Sequence, residues 1–166
     1  MWFMIQRIIL SKYLHLMSKN IAKSIMRLSG RVLKSGRFWA IEVPILGVVT
    51  QGRTKKEAFL MVADAIEALA DRKDFRVEVF PGRGQGFEIG ANDEAVLLAF
   101  LLKRLRLKKG LSLSDVAGKL GIKSTNAYAR YEQGVSVPTV EKLTQLLSAV
   151  SPGADFVLRE SREPFD

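Results

Sequence analysis

The stretch LSLSDVAGKLGIKSTNAYARYEQG, residues 111–134, decides how this chain is read. It carries two short helix signals with one glycine between them. Ser112 precedes Asp115 by three residues, the spacing of a reciprocal N-terminal cap. Val116, Ala117 and Leu120 then fall on one helical face. Gly121 permits a sharp turn, and Ile122 is placed to plug the corner behind it. In the second helix Tyr128 and Tyr131 stand three apart, on one side of the helix. Glu132-Gln133-Gly134 closes it. Two short helices joined by a tight glycine turn have the spacing of a helix-turn-helix.

In that arrangement the tyrosines face the core. Ser124, Thr125, Asn126, Ala129 and Arg130 are left toward solvent or a DNA groove. Asparagine pairs bidentately with adenine, and arginine with guanine. Ser124, Thr125, Asn126 and Arg130 are therefore the expected base readers. Alanine on such a face admits close approach and contact with a thymine methyl. Just upstream, LLKRLRLKKG (101–110) crowds cations at a helix end. Cations are favoured there by the helix dipole alone. Beside a helix-turn-helix such cations can hold phosphates, so Arg104 and Lys108 of this run, with Ser112 and Lys123 before the two short helices, are the expected phosphate contacts. An ordinary helical module that binds protein remains the alternative on spacing alone.

Working outward, VPTVEKLTQLLSAV (137–150) is a further helix, with Pro138 near its first turn and Val140, Leu143, Leu146 and Leu147 on one face. Residues 151–166 read as a polar tail in which FVL is a candidate short strand. On the other side, ANDEAVLLAFLLKRLRLKKG (91–110) reads as a long amphipathic helix, capped by Asn92 or Asp93 and stopped by Gly110.

Further upstream the period changes. RLSGRVLKSGRFWAIEVP (27–44) reads as two strands around a glycine turn, with Trp39, Ile41 and Val43 alternating and Pro44 ending the run. LGVVTQG is a third short strand. Thr54 and Glu57 have capping-box spacing. Ala58, Met61, Val62, Ala65, Ile66 and Leu69 make an amphipathic helix to about Ala70. FRVEVF (75–80) is a fourth strand. PGRGQG (81–86) lacks the Lys-Ser/Thr ending of a phosphate loop and reads as a linker. The fold expected is α+β: a small β-β-β-α-β unit at 26–90, a helical module at 91–150 and a tail at 151–166. The α+β unit is too small to bury much core alone, so a second domain or self-association is called for. Residues 1–25 are read as an extension outside the fold. No apolar run there reaches the ~20 residues of a membrane span, and no small-residue cleavage site follows them.

The chain has no cysteine and a net charge of +9. Disulfides, thiolate metal sites and thiol catalysis are excluded. Residues 1–37 hold eight of the basic residues and no acidic one, so the charge belongs largely to the N-terminus. His15, the one histidine, lies there too. No histidine triad or histidine metal site can be assembled elsewhere. Pairs such as Glu67/Asp71 have the spacing of a solvated helix face. No catalytic residue, metal site or cofactor is expected.

LLKRLRLKKGLSLSDVAGKLGI, then YARYEQGVSVPTVEKLTQLL, resembles the lambda-repressor-like (Cro or XRE) helix-turn-helix. The sequence departs from that pattern in carrying Leu113 where a polar, glutamine-like residue is usual. GRFWAIEVPILGVVTQGRTKKEAFLMVADAIEAL (36–69) resembles the small domain of HicB antitoxins, through its Gly-aromatic strand, Pro-x-Leu-Gly turn, Thr-x-Gly-x-Thr and Glu-Ala helix. Here Lys34 and Ser35 stand where that family is usually acidic. The two resemblances span about residues 27–150. They imply a truncated ribonuclease-H-like sheet with a repressor module, in a cytoplasmic, non-catalytic antitoxin. Such a protein masks a HicA-type mRNA-cleaving toxin and represses its own operon through operator DNA, as a homodimer or homotetramer. Only Glu42 among the first strands could serve a metal, in keeping with no catalysis. The other reading is a stand-alone transcriptional regulator whose α+β unit dimerises or senses a ligand.

Overall fold

The computed structural model describes residues 26–161. The expectations for residues 1–25 and for the last five residues lie outside this range. The elements are β1 (Leu28–Ser35), β2 (Phe38–Val43), β3 (Val48–Gly52), α1 (Lys55–Ala70), β4 (Val77–Pro81), β5 (Gly86–Ala91), α2 (Glu94–Lys108), α3 (Leu113–Lys119), α4 (Thr125–Glu132) and α5 (Val140–Val150).

The strands form one antiparallel sheet in the order β3-β2-β1-β5-β4. Alternation sends Val32, Ile41, Val43, Val48, Val77, Phe87 and Ile89 to one face, where they are buried. Helix α1 covers that face with Ala58, Val62 and Ile66 as it runs from one edge strand to the other. Thr54 caps it through a bond from the Glu57 amide at 3.0 Å. The Glu57 carboxylate reaches back to the Arg53 amide at 2.7 Å. Gly52 lies where β3 meets the start of α1. A Cβ there would stand 2.4 Å from the Ala58 nitrogen, so only glycine lets strand and helix approach this closely.

PGRGQG is not a linker. It is the turn of a hairpin, closed by Gly82 N–H to Gly86 O at 3.0 Å. The strand after it, GFEIGA, had no clean polar alternation to announce it. It is nevertheless β5, inserted between β1 and β4. Its Gly90 and Ala91 are buried along with Phe87 and Ile89, which explains the lost alternation. The expected FVL strand does not form: residues 154–161 take no regular structure.

The long helix is also other than expected. α2 is capped by Asp93, whose side chain accepts from the Val96 amide at 3.0 Å. It buries Ala99, Phe100, Leu101 and Leu102 in succession, which a one-sided amphipathic helix cannot do. The cause is its position. It packs on β5 and α1 at one side and on α4 and α5 at the other. One apolar cluster thus continues from the sheet through α2 into the helices, including Tyr128 and Leu146. This continuity supplies the burial that the small sheet unit lacks.

Candidate nucleic-acid interface

Helices α3 and α4 are built as the sequence indicated. Ser112 caps α3 and the Asp115 carboxylate returns to the Ser112 amide at 2.7 Å. The Ser112 hydroxyl also donates to that carboxylate at 2.7 Å. These bonds hold the Asp115 carboxyl below the usual carboxylate range. Gly121 takes a left-handed φ of 67°, and the Ile122 amide returns to Ala117 O at 3.0 Å. The chain therefore turns sharply into α4, with Ile122 packed against the core.

In α4, Tyr128 is completely buried and Tyr131 packs against the same core. The tyrosines are structural, not a stacking platform. Glu132 explains the end of the stretch. It accepts from Arg106 Nε at 2.7 Å and Nη2 at 2.9 Å, and from the Tyr128 hydroxyl at 2.6 Å. Arg106 also donates to Leu111 O at 2.8 Å. The Glu132 hydrogen bond raises the pKa of Arg106 against the opposing effect of burial. Burial, followed by the bond to Glu132, pushes the Tyr128 phenol far above its ordinary range. This cluster fastens the end of α4 to the end of α2. Gly134, at φ 69°, then carries the chain past Ala99 of α2.

The expected base readers are all exposed, Ser124 at the N-cap of α4 and Thr125, Asn126 and Arg130 on the helix itself. Ala129 is not with them. It is 8% exposed, turned inward beside Tyr128, and Ala127 takes the exposed place instead. Ser124 caps α4 in position only, since its side chain makes no capping bond. Arg130 Nε reaches the Ser136 hydroxyl at 3.3 Å, in the loop after α4. The N-terminal half of α4 is thus a small, polar, uncovered face, and its C-terminal end is anchored.

The four expected phosphate contacts separate. Lys123 is exposed at the start of α4. Ser112 is exposed, but its hydroxyl works in the α3 cap. Arg104 is turned to the sheet unit, donating to Leu46 O at 2.7 Å and Gly47 O at 3.2 Å. Lys108 reaches Pro44 O at 3.2 Å. The cations after residue 100 that looked free in sequence thus include two that hold the β2–β3 turn. Arg72, which the sequence did not single out, completes this joint by donating to Gln133 O at 2.9 Å. No short-range pattern could have found these contacts, because each links residues more than fifty positions apart.

On the outer face of the sheet, Glu42 is paired with Arg31. Glu88 receives Arg159 at 3.0 Å and also the Ser161 hydroxyl, so the tail folds back over β1 and β5. Arg27 joins this cluster, with its guanidinium 3.6 Å above the Phe80 ring. No helix among the described residues is long and apolar enough to cross a membrane.

Residues 102–150 match the helix-turn-helix family. The match begins inside α2 and ends with α5, so it covers the geometry just described. It supports a DNA-binding regulator of the Cro or XRE type. No curated protein matches the chain.

Proposed function

We propose that the chain is an antitoxin of the HicB type that binds operator DNA through α4 and masks a HicA-type, mRNA-cleaving toxin with its sheet unit. The observation that carries the DNA half is the uncovered row Ser124–Ala127 on a helix whose opposite side holds the buried Tyr128. The second helix of such a pair enters the major groove by its N-terminal residues. Here those residues are the polar, exposed ones. Asn126 and Arg130 carry the base contacts, with Ser124 and Thr125 beside them, and Lys123 a phosphate.

The toxin half is supported by the sequence resemblance and by the part of the outer sheet face, over β2 and β3, that the tail leaves open. α1 covers one face only, and Leu33 and Val49 stand exposed on the other. One module reads one half-site, so the working form is a homodimer or a pair of dimers. The role is non-catalytic and cytoplasmic.

The test pairs two measurements. DNA from upstream of the gene should bind the protein in fluorescence anisotropy at moderate salt. A small basic protein encoded beside the gene should co-purify with it and lose its toxicity on co-expression. DNA binding without any such partner would leave the stand-alone regulator and sink the antitoxin. No binding to upstream DNA would sink both.

A further inference from the structure

The sheet has two ends, and they differ in charge. One end meets the helix-turn-helix through the β2–β3 turn and the joint at Arg104. The other end gathers the β1–β2 turn, the β3–α1 link and the β4–β5 turn. The register places Lys34, Trp39 and Gly52 in one row across β1, β2 and β3 there. Lys55 Nζ donates to Gly84 O at 3.0 Å, which brings the third link against the second. These links and the residues flanking them carry Lys34, Arg37, Arg53, Lys55, Lys56 and Arg83. Their one carboxylate, Glu57, is engaged with the Arg53 amide. Cations on the first turn of a helix, as Lys55 and Lys56 are, oppose its dipole. Helix stability therefore does not account for them.

Aromatic rings are set among these charges. Lys34 lies 5.8 Å from the Trp39 ring centre and Lys55 the same distance from that of Phe59. Phe38, beside Arg37 at the hairpin tip, is 41% exposed and projects to the opposite face of the sheet from Trp39, so a chain crossing the tip passes from the cations onto this ring. Positive charge tracks a phosphodiester backbone, and an exposed ring stacks an unpaired base. A duplex has no unstacked base to offer such a ring, and an acidic protein surface needs none.

We propose that this end of the sheet binds single-stranded nucleic acid, with Arg37, Arg53 and Lys56 on the phosphates and Phe38 under a base. The surface is separate from α4, so its occupancy does not depend on the operator reading.

The test uses the full chain and a fluorescein-labelled oligouridylate. The triple substitution Arg37→Ala, Arg53→Ala, Lys56→Ala removes three exposed charges whose side chains make no hydrogen bond or ion pair among the described residues. It should weaken single-strand binding at least tenfold and flatten the slope of log K against log salt by about 2, at ~0.7 per charge. Phe38→Ala should weaken it by about tenfold at unchanged slope. Binding of upstream duplex DNA, measured in parallel, should stay as in the parent for both variants. Single-strand affinity unchanged in the triple variant overturns the proposal, as does no affinity in the parent at moderate salt. Competition by polyglutamate as strong as by oligouridylate overturns it in favour of an acidic protein partner.

Discussion

Glu132 holds Arg106 at two points, Oε1 to Nε at 2.7 Å and Oε2 to Nη2 at 2.9 Å, with both side chains largely shielded from water. The pair joins the last residue of α4 to the last turn of α2, so it fixes α4 to the helix shared with the sheet.

Breaking such a pair from one side leaves a charge without its partner, at a cost of about 3 kcal/mol or more. Glu132→Ala should therefore lower the chemical-denaturation midpoint strongly and leave DNA binding weak at any temperature near the transition. Tyr128→Phe removes only one hydrogen bond to the same carboxylate and should cost about 1 kcal/mol. An unchanged midpoint in Glu132→Ala would show that the cluster contributes nothing to the fold.

The Tyr128 hydroxyl gives the stability a pH limit on the alkaline side. Its folded pKa is raised by burial and by the Glu132 bond. The folded state thus holds the phenolic proton more tightly than the unfolded chain does. This contribution is complete below the unfolded value of about 10 and declines as pH rises above it. Alkaline titration followed at the tyrosinate absorbance should show one phenol that ionises only as the helical circular dichroism is lost. That late step should vanish in Tyr128→Phe. A Tyr128 that ionises near pH 10 in the folded protein would contradict the buried placement.

Much of this was legible in the chain, for identifiable reasons. Caps, helix stops and tyrosine spacing are local signals, so α1, α3, α4 and α5 were recognisable from residues such as Thr54, Ser112, Gly121 and Gly134. β5 was not. A strand buried at Gly90 and Ala91 loses the alternation that marks a half-exposed strand, and its turn resembled a linker. Ala129 lies inward because the core wraps further around this short helix than helical spacing alone indicates. The roles of Arg104 and Lys108 were hidden because their partners are backbone carbonyls of the β2–β3 turn, which no side-chain pattern announces.

Gly52 tests the close approach of β3 and α1. The added methyl of Gly52→Ala would meet backbone at Ala58 and Glu57, not the movable end of a side chain. The backbone must shift, which should cost about 1–3 kcal/mol. Thermal unfolding would measure it. A variant as stable as the parent would show that the strand and helix can separate freely.

The interface itself is tested by substitutions that separate three roles. Asn126 is exposed on the first turn of α4 and is assigned to a base. Asn126→Ala should weaken specific DNA by about tenfold, in line with the 1–3 kcal/mol of a bidentate base contact, and change non-specific binding little. Lys123 is assigned to a phosphate. Lys123→Ala should weaken both kinds of DNA alike and flatten the salt slope by about 1. Arg104 faces the carbonyls of Leu46 and Gly47. Arg104→Ala should instead lower stability while leaving the salt slope as it was, because no phosphate contact is lost. Anisotropy titrations on the specific site and on unrelated duplex, over a range of salt, distinguish the three. Equal losses on both DNAs from Asn126→Ala would remove it as a base reader. A flattened slope in Arg104→Ala would mean that its guanidinium leaves the sheet for the DNA, and that the joint opens when the operator is bound.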